Sequence, residues 1–389
     1  MGTRIQDVSA VWLHCPIPQE QQHVSDFGRI ASFDMALVTI TADDGTIGVG
    51  EAKAGVGSAA VCASLVTCIK EELRPLLLDQ DPSQINLLWE RMYNGSRDHY
   101  ALDRGRAFPI LGRRGLTVAA MSGIDMALWD LNGKALGCPV VRLLGGACRA
   151  TMPAYASGGW ADEAHIGEQL LSYTAKGFGG VKMRVGVMDG DVSTSIARIR
   201  AARRALGPRV KLMADAHGTF SVPEAKRFVD GVAECDLYWF EEPVNADDRI
   251  GLSEVRAHAP MPIAAGESEF TRFDFRDLIQ QRAVDVLQPD LAICGGLTEG
   301  RRIAALADAH QLALAPHLWG SCVSFMAGLH LAFASPSAII LEYALGANPL
   351  LRELPEVQIE VRGGQIAAPT QPGLGVTLKQ AFIEQYRQN

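Results

Sequence analysis

Apolar positions follow two different rhythms along the chain. Near the N-terminus they alternate with polar ones in three runs, Ile5–His14, Met35–Thr41 and Thr46–Glu51. Period-two alternation predicts a small antiparallel sheet with one buried face, and Asp43-Asp44-Gly45 supplies the hairpin turn between the last two runs. The polar stretch Pro16–Ile30 is long for a connector and reads as a candidate lid. Helical spacing then takes over in Ser58–Leu73, stopped by Pro75, in Gln84–Tyr93 and in Thr117–Ala135. In the last, Val118, Met121, Ile124, Leu128 and Leu131 share one face before Gly137 and Pro139 end the helix.

From about Ala150 the rhythm becomes short apolar runs separated by helix-length segments. The runs are Pro153–Ala156, Val181–Met183, Val210–Ala214, Leu237–Phe240, Pro262–Ala265, Val284–Leu287, Leu312–Ala315 and Ala338–Leu341. Eight such units predict an α/β fold, a (β/α)8 barrel carrying an α+β capping domain. The expected division is residues 1–125 for the cap, completed by 355–389, and 126–354 for the barrel. The tail, Val357–Val361 then Gly363-Gly364 then Gln365–Ala368, reads as a hairpin that rejoins the N-terminal domain. An open doubly wound sheet is the alternative. It needs a glycine-rich phosphate turn, and Gly48-Val49-Gly50 is followed by Lys53 where the third glycine belongs.

A length of 389 residues exceeds one ordinary domain, in keeping with a barrel plus a cap. With 48% apolar and 21% charged residues the chain has a globular composition and is not disordered. A net charge of −8 gives no general attraction to nucleic acid or to an anionic membrane, so an anionic substrate needs local cations. The 33 residues from Ala309 to Leu341 lack Asp, Glu, Lys and Arg, yet Pro316, Gly320, Gly328 and Pro336 interrupt them. That stretch reads as buried strand and helix, with no membrane span. Eight scattered cysteines form no CxxC pair, and Met1–His14 has no secretory pattern, so a cytoplasmic protein with reduced thiols is expected.

Nearly every barrel run ends in a titratable residue: Lys182 and Arg184, Asp215, Glu241, Glu267, Asp290, His317 and Glu342. From Asp215 the steps are 26, 26, 23, 27 and 25 residues, one βα unit each. In a barrel all of them emerge at the C-terminal mouth, where active sites of this fold lie. A single acid there is often only a helix cap, but a titratable residue in every slot is not the mixture that caps produce. Asp215, Glu241 and Glu267 end three successive strands. At ~4.8 Å between neighbouring strands they would converge, and oxygen-only donors suit a hard ion, Mg²⁺ or alternatively Mn²⁺. Asp290 and His317 end the next two strands and would form an acid/base dyad. His217, two residues past Asp215, would share its face by strand alternation and is a second candidate base.

Together, Lys182-Met183-Arg184, Asp215-Ala216-His217, Trp239-Phe240-Glu241-Glu242-Pro243, Gly266-Glu267, Gln288-Pro289-Asp290 with Cys294-Gly295-Gly296, Ala315-Pro316-His317 and Glu342 resemble the enolase superfamily, mandelate racemase subgroup. The resemblance spans the chain through Pro372-Gly373-Leu374-Gly375. It implies that Asp215, Glu241 and Glu267 hold magnesium. It also implies that His317 with Asp290 is a base or acid, that Glu342 hydrogen-bonds the substrate carboxylate, and that Lys182 is the first lysine of a KxK pair. Arg184 departs from that pair: arginine keeps its proton, which makes it a poor base and a good fixed cation. The Asp-x-His pattern and Phe270–Phe275 look more like acid-sugar dehydratases, in which His217 would be the base and His317 the acid. In that role Glu342, if protonated, would donate a hydrogen bond.

The implied reaction removes the C2 proton of a sugar acid and expels the 3-hydroxyl, giving a 2-keto-3-deoxy acid. Trp319-Gly320 and Asn348-Pro349 are similar to lactone cycloisomerases, so cycloisomerisation or racemisation is the first alternative, and a non-catalytic, metal-stabilised acid-binding protein the second. The expected partner is a small-molecule acid sugar, with no nucleic acid and no membrane, in a homo-oligomer. Specificity is expected in the cap, in His14–Ile30, Lys53–Ser58 and the basic and aromatic stretch Arg97–Arg114.

Overall fold

The alternating N-terminal runs form the sheet that their period predicts. In the computed structural model, which describes residues 2–26, 28–54, 60–94 and 112–388, β1 (Ile5–Pro16) is followed by a small hairpin of β2 (His23–Ser25) and β3 (Gly28–Ile30). β4 (Ser32–Ala42) then pairs antiparallel with β1 and with β5 (Ile47–Ala52). Val8 and Ala10 are buried on one face of β1 and Leu13 and Cys15 on the other, and the cap's helices pack against this sheet. These are Ala60–Thr67, continued by a wider turn at Cys68–Leu73, then Ile85–Asn94 and Leu116–Ala135. The expected boundary at 125/126 falls inside this last, unbroken helix.

Gly48 and Gly50 have a packing role. A β-carbon on either would run into the backbone of Leu116–Ala135, at the carbonyls of Ala127 and Gly123. The two glycines therefore let helix and sheet approach at backbone contact, and they open no phosphate-binding turn.

The second rhythm builds the barrel. β6 (Thr151–Ser157), β7 (Gly180–Arg184), β8 (Lys211–Asp215), β9 (Leu237–Glu241), β10 (Ile263–Ala265), β11 (Val286–Leu287) and β12 (Ala313–Leu314) pair in parallel, each with the next, and β13 (Leu341–Ala344) returns beside β6. A parallel bridge between Leu314 and Ala338 closes the circle. Tyr155, Met213, Trp239, Ala264, Val286, Ala315 and Ile340 pack together as a core cluster separate from the main one, so the lumen is a packed core.

Two expectations are corrected. The eighth strand lies later than Ala338–Leu341, because Ala338 is spent on the closing bridge and the ladder with β6 begins at Leu341. The tail hairpin does not rejoin the cap: residues 357–361 form no strand, and β14 (Gln365–Ala367) pairs antiparallel with β6 of the barrel. The tail reaches the cap further on, through the Leu374 N–H donated to Asp130 Oδ1 at 2.7 Å and the Gln388 N–H donated to the Trp12 carbonyl at 2.8 Å. Among the described residues no helix is long and apolar enough to cross a membrane.

Cap and barrel are tied at β5. Buried Glu51 accepts hydrogen bonds from the Ser321 N–H (3.1 Å), the Ser321 hydroxyl (2.5 Å) and the Ser324 N–H (3.1 Å). These donors begin the helix Cys322–Ala334, whose N-terminal partial charge favours a carboxylate.

The same helix carries a pH-sensitive core group. His330 is buried, its Nδ1 accepts the Val141 N–H at 2.9 Å, and burial pushes its pKa down to about 4. An unfolded histidine titrates near 6.5, so between these values the unfolded chain binds the extra proton and stability falls as pH drops from 6.5 toward 4. On the order of 3 kcal/mol is at stake at about 1.4 kcal/mol per pH unit. His330→Gln should flatten this part of the stability curve in urea unfolding between pH 7 and 4.5; a variant curve parallel to the wild type rejects the assignment.

Candidate active site

The barrel's stagger places the titratable strand ends in one mouth. Arg184 stands in register with Asp215, and Asp215 with Glu241. Glu241 is level with Ala264, so Glu267 lies beyond the end of β10, after the left-handed Gly266, where a β-carbon would crowd Phe275. All of these side chains are buried or nearly so.

Lys182 is the hub. Its Nζ contacts Glu241 Oε1 and lies 3.2 Å from Asp215 Oδ2 and 3.1 Å from Glu342 Oε1. Burial alone would strip the proton from such a lysine, but Glu241 and Glu342 outweigh it and hold the pKa above its ordinary value. Arg184 contacts Asp215 Oδ2 and lays its guanidinium over the Trp319 ring, 5.2 Å from the centroid. The Trp239 indole N–H donates to Glu241 Oε2 at 2.8 Å. Glu342 accepts the Leu318 N–H at 2.9 Å. Burial opposes its charge, yet Lys182, His317 and Arg184 drive its pKa below the usual carboxylate range. Glu342 Oε2 is thus an acceptor toward the Leu318 N–H.

Two imidazoles flank the carboxylates. His317 Nδ1 lies 2.8 Å from Asp290 Oδ2 and its Nε2 3.3 Å from Glu267 Oε2. Burial resists its protonation, but Glu267 and Asp290 prevail and raise its pKa. His217 Nε2 lies 3.6 Å from Asp215 Oδ2, and here burial, aided by Arg184, lowers the pKa. Strand alternation does not bring His217 there. It follows the strand in a left-handed conformation (φ 45°), and that turn folds the ring back toward Asp215.

Asp215, Glu241 and Glu267 do not stand as a ready-made triad. Among the described residues no group of three His, Cys, Asp or Glu side chains is already close enough to hold a metal ion. Lys182 and Arg184 interpose at Asp215 and Glu241, and Glu267 turns to His317. The donor chemistry nonetheless fits a hard divalent cation. Buried Asp215 Oδ2 has no hydrogen bond. Ionised together, Asp215, Glu241, Glu267, Asp290 and Glu342 carry two more charges than Lys53, Lys182 and Arg184 offset, before either histidine is protonated. Beside them, burial next to Glu267 and Glu241 raises the Glu242 pKa well above the carboxylate range.

Comparison with known proteins agrees with this architecture. Residues 165–382 match the family described as "Enolase C-terminal domain-like", and residues 10–145 match "Mandelate racemase / muconate lactonizing enzyme, N-terminal domain". The chain belongs to the enolase superfamily, mandelate racemase subgroup. Within the superfamily it is 34% identical to the D-galactarolactone cycloisomerase of Agrobacterium fabrum, over 90% of each chain. It is 37% identical to the D-galactonate dehydratase of Ralstonia pickettii, over 82% of this chain and 84% of that one. Among solved structures, the 3,6-anhydro-D-galactonate cycloisomerase of Zobellia galactanivorans superposes with a TM-score of 0.84 at 32% identity, covering 99% of this chain and 100% of that one. An enolase from Bradyrhizobium complexed with magnesium and mandelic acid gives a TM-score of 0.85 at 30% identity, covering 100% and 99%.

In this enolase-superfamily chain Lys182, Arg184, Asp215, His217, Glu241, Glu267, Asp290, His317 and Glu342 meet in one cluster, and Lys53 and Asp26 join them. Lys53, just past β5, donates to the Trp319 carbonyl at 2.8 Å and lies 3.4 Å from Asp290 Oδ2. Asp26, from the expected lid, bonds His217. Both fall in loops named for specificity, but nothing in a lone Asp or Lys marks the barrel residue it reaches. Of Arg97–Arg114, residues 97–111, with Arg97, His99, Tyr100, Arg104, Arg106 and Phe108, lie outside the described residues, as do residues 55–58 of Lys53–Ser58. Arg113 and Arg114 pair with Glu72 and Asp274.

Proposed function

We propose that this protein is a magnesium-dependent acid-sugar dehydratase, a hydro-lyase. One observation carries the reading: two imidazoles, each with its Nδ1 on an aspartate, direct their Nε2 atoms at the same carboxylate cluster. Such an arrangement can remove a proton on one side of a bound acid and return one on the other.

Asp215, Glu241 and Glu267 would hold Mg²⁺, with Mn²⁺ as the alternative. When bound, the ion draws negative charge from the substrate carboxylate, so that a side chain of neutral-range pKa can remove the α-proton. Lys182 and Arg184 supply fixed positive charge where the enediolate develops. Arg184 cannot exchange protons there, which disfavours two-base racemisation. His217, held neutral, takes the C2 proton at Nε2. The electron pair left on C2 becomes the C2–C3 double bond as the C3–O bond breaks, and His317, held protonated, gives its Nε2 proton to the departing hydroxyl, which leaves as water. The enol then tautomerises to a 2-keto-3-deoxy acid. Asp290 orients His317, and Glu342 fixes Lys182 beside the substrate.

A second reading, cycloisomerisation, draws support from the Agrobacterium and Zobellia relatives. It shares the first proton abstraction and differs in the group expelled. A panel of mono- and diacid sugars and their lactones, with Mg²⁺ in D₂O, separates the outcomes. A semicarbazide-positive 2-keto acid from an open-chain acid supports dehydration, and a ring-opened product from a lactone supports cycloisomerisation. Absence of product and of deuterium at C2 across the panel rejects both and leaves an acid-binding protein. Excess chelator should abolish turnover, and undiminished turnover rejects the metal assignment.

A further inference from the structure

His217 takes its aspartate from the other domain. Its Nδ1 lies 2.8 Å from Asp26 Oδ2, in the stretch between β2 and β3. The Asp26 side chain is fully enclosed, at 0% exposure, and its Oδ1 accepts the Met188 N–H at 2.9 Å. Met188 belongs to the turn Val187–Asp189, which is itself pinned. Arg198 bonds Asp189 Oδ1 at 2.7 Å and the Arg184 carbonyl at 2.7 Å, and the Ala161 carbonyl at 2.9 Å. Asp26 thus reaches from the cap into a rigid seat on the barrel.

That geometry settles which imidazole nitrogen bears hydrogen. A carboxylate oxygen on Nδ1 requires an N–H there, so the Nε2 lone pair is left to face the cluster. The backbone of His217 is also left-handed, a conformation that a β-carbon resists and that its surroundings must maintain.

We propose that Asp26 is a positioning residue of the reaction: it fixes the tautomer and direction of His217 across the domain boundary, so the base is competent only while Asp26 is seated on the barrel. This rests on the reading of His217 as the base. Asp26 acts through His217 and touches no reacting atom. Its loss therefore lowers kcat and leaves KM nearly unchanged. An asparagine at 26 can turn its NH₂ toward Nδ1 and select the wrong tautomer.

The test uses the full chain loaded with Mg²⁺ and whichever acid sugar the wild type turns over. Asp26→Asn should lower kcat by about a hundredfold, with KM within about threefold, and Asp26→Glu should recover part of the loss. In a His217→Asn background Asp26→Asn should have no further effect, because the two side chains act as one unit. Nitrogen-15 histidine spectra supply a readout independent of turnover: the His217 signal, assigned by its loss in His217→Asn, should show a protonated Nδ1 in the wild type and a shift toward protonated Nε2 in Asp26→Asn. Wild-type kcat in both Asp26 variants, an equal loss with and without His217, or an unchanged tautomer overturns the proposal. A wild type inactive on every acid sugar defeats the dehydratase reading instead, and the spectra still decide whether Asp26 sets the tautomer.

Discussion

His317→Asn is expected to cut dehydration by about 10³-fold or more while leaving deuterium exchange at C2 measurable. The first figure follows from losing a positioned general acid, an effect of about 10²–10⁴. The second follows from the division of labour: His217 makes the carbanion, and His317 is needed only when the hydroxyl leaves. Asparagine is nearly isosteric and can still meet Asp290, whose Oδ1 accepts the Ala292 N–H at 2.8 Å and whose Oδ2 lies 3.4 Å from Lys53. The variant should therefore fold, and it should still bind Mg²⁺, since His317 contacts Glu267 but neither Asp215 nor Glu241. Keto-acid formation by semicarbazide and C2 exchange by proton NMR read the two steps separately. If turnover is near normal, His317 is not the acid. If exchange and dehydration disappear together, the roles of the two histidines are reversed.

The second large effect is on stability. Lys182→Met removes the one cation, among the described residues, that touches Asp215, Glu241 and Glu342 together. Methionine fills much of the same space, so the loss is chiefly electrostatic: buried carboxylates deprived of their partner cost about 3–5 kcal/mol. The unfolding midpoint in urea should fall accordingly, and turnover should be lost. Magnesium should then stabilise this variant more than the wild type, because ion and ammonium compete for the same oxygens. Equal magnesium effects on the two proteins in thermal unfolding would place the ion elsewhere.

Much of this was legible in the chain because a barrel imposes a counting rule. One βα unit per strand carries Asp215 to Glu342 in even steps, and the fold turns that spacing into a shared mouth. The alternating runs of the cap were equally plain. What the spacing could not reveal depends on closure in space. Nothing along the chain shows that Ala338 is used to close the barrel, which shifts the last strand to Leu341–Ala344. Gly363-Gly364 announces a turn without naming the strand that Gln365–Ala367 joins. Carboxylates on adjacent strands were expected to converge, but only coordinates show Lys182 threaded between two of them. Asp26 was the least visible, because its partner lies 191 residues away and in the other domain.

The latch at Glu51 bears on how a sugar acid gets in and out. Levering the whole cap sheet off the barrel would leave a dry carboxylate and the first N–H groups of Cys322–Ala334 unanswered, at several kcal/mol. Releasing Asp26 from the barrel breaks its bonds to His217 and Met188 and leaves the Glu51 contacts in place. An opening on the Asp26 side thus keeps the Glu51 lintel and unhooks the base, so that proton abstraction waits until the substrate is shut in.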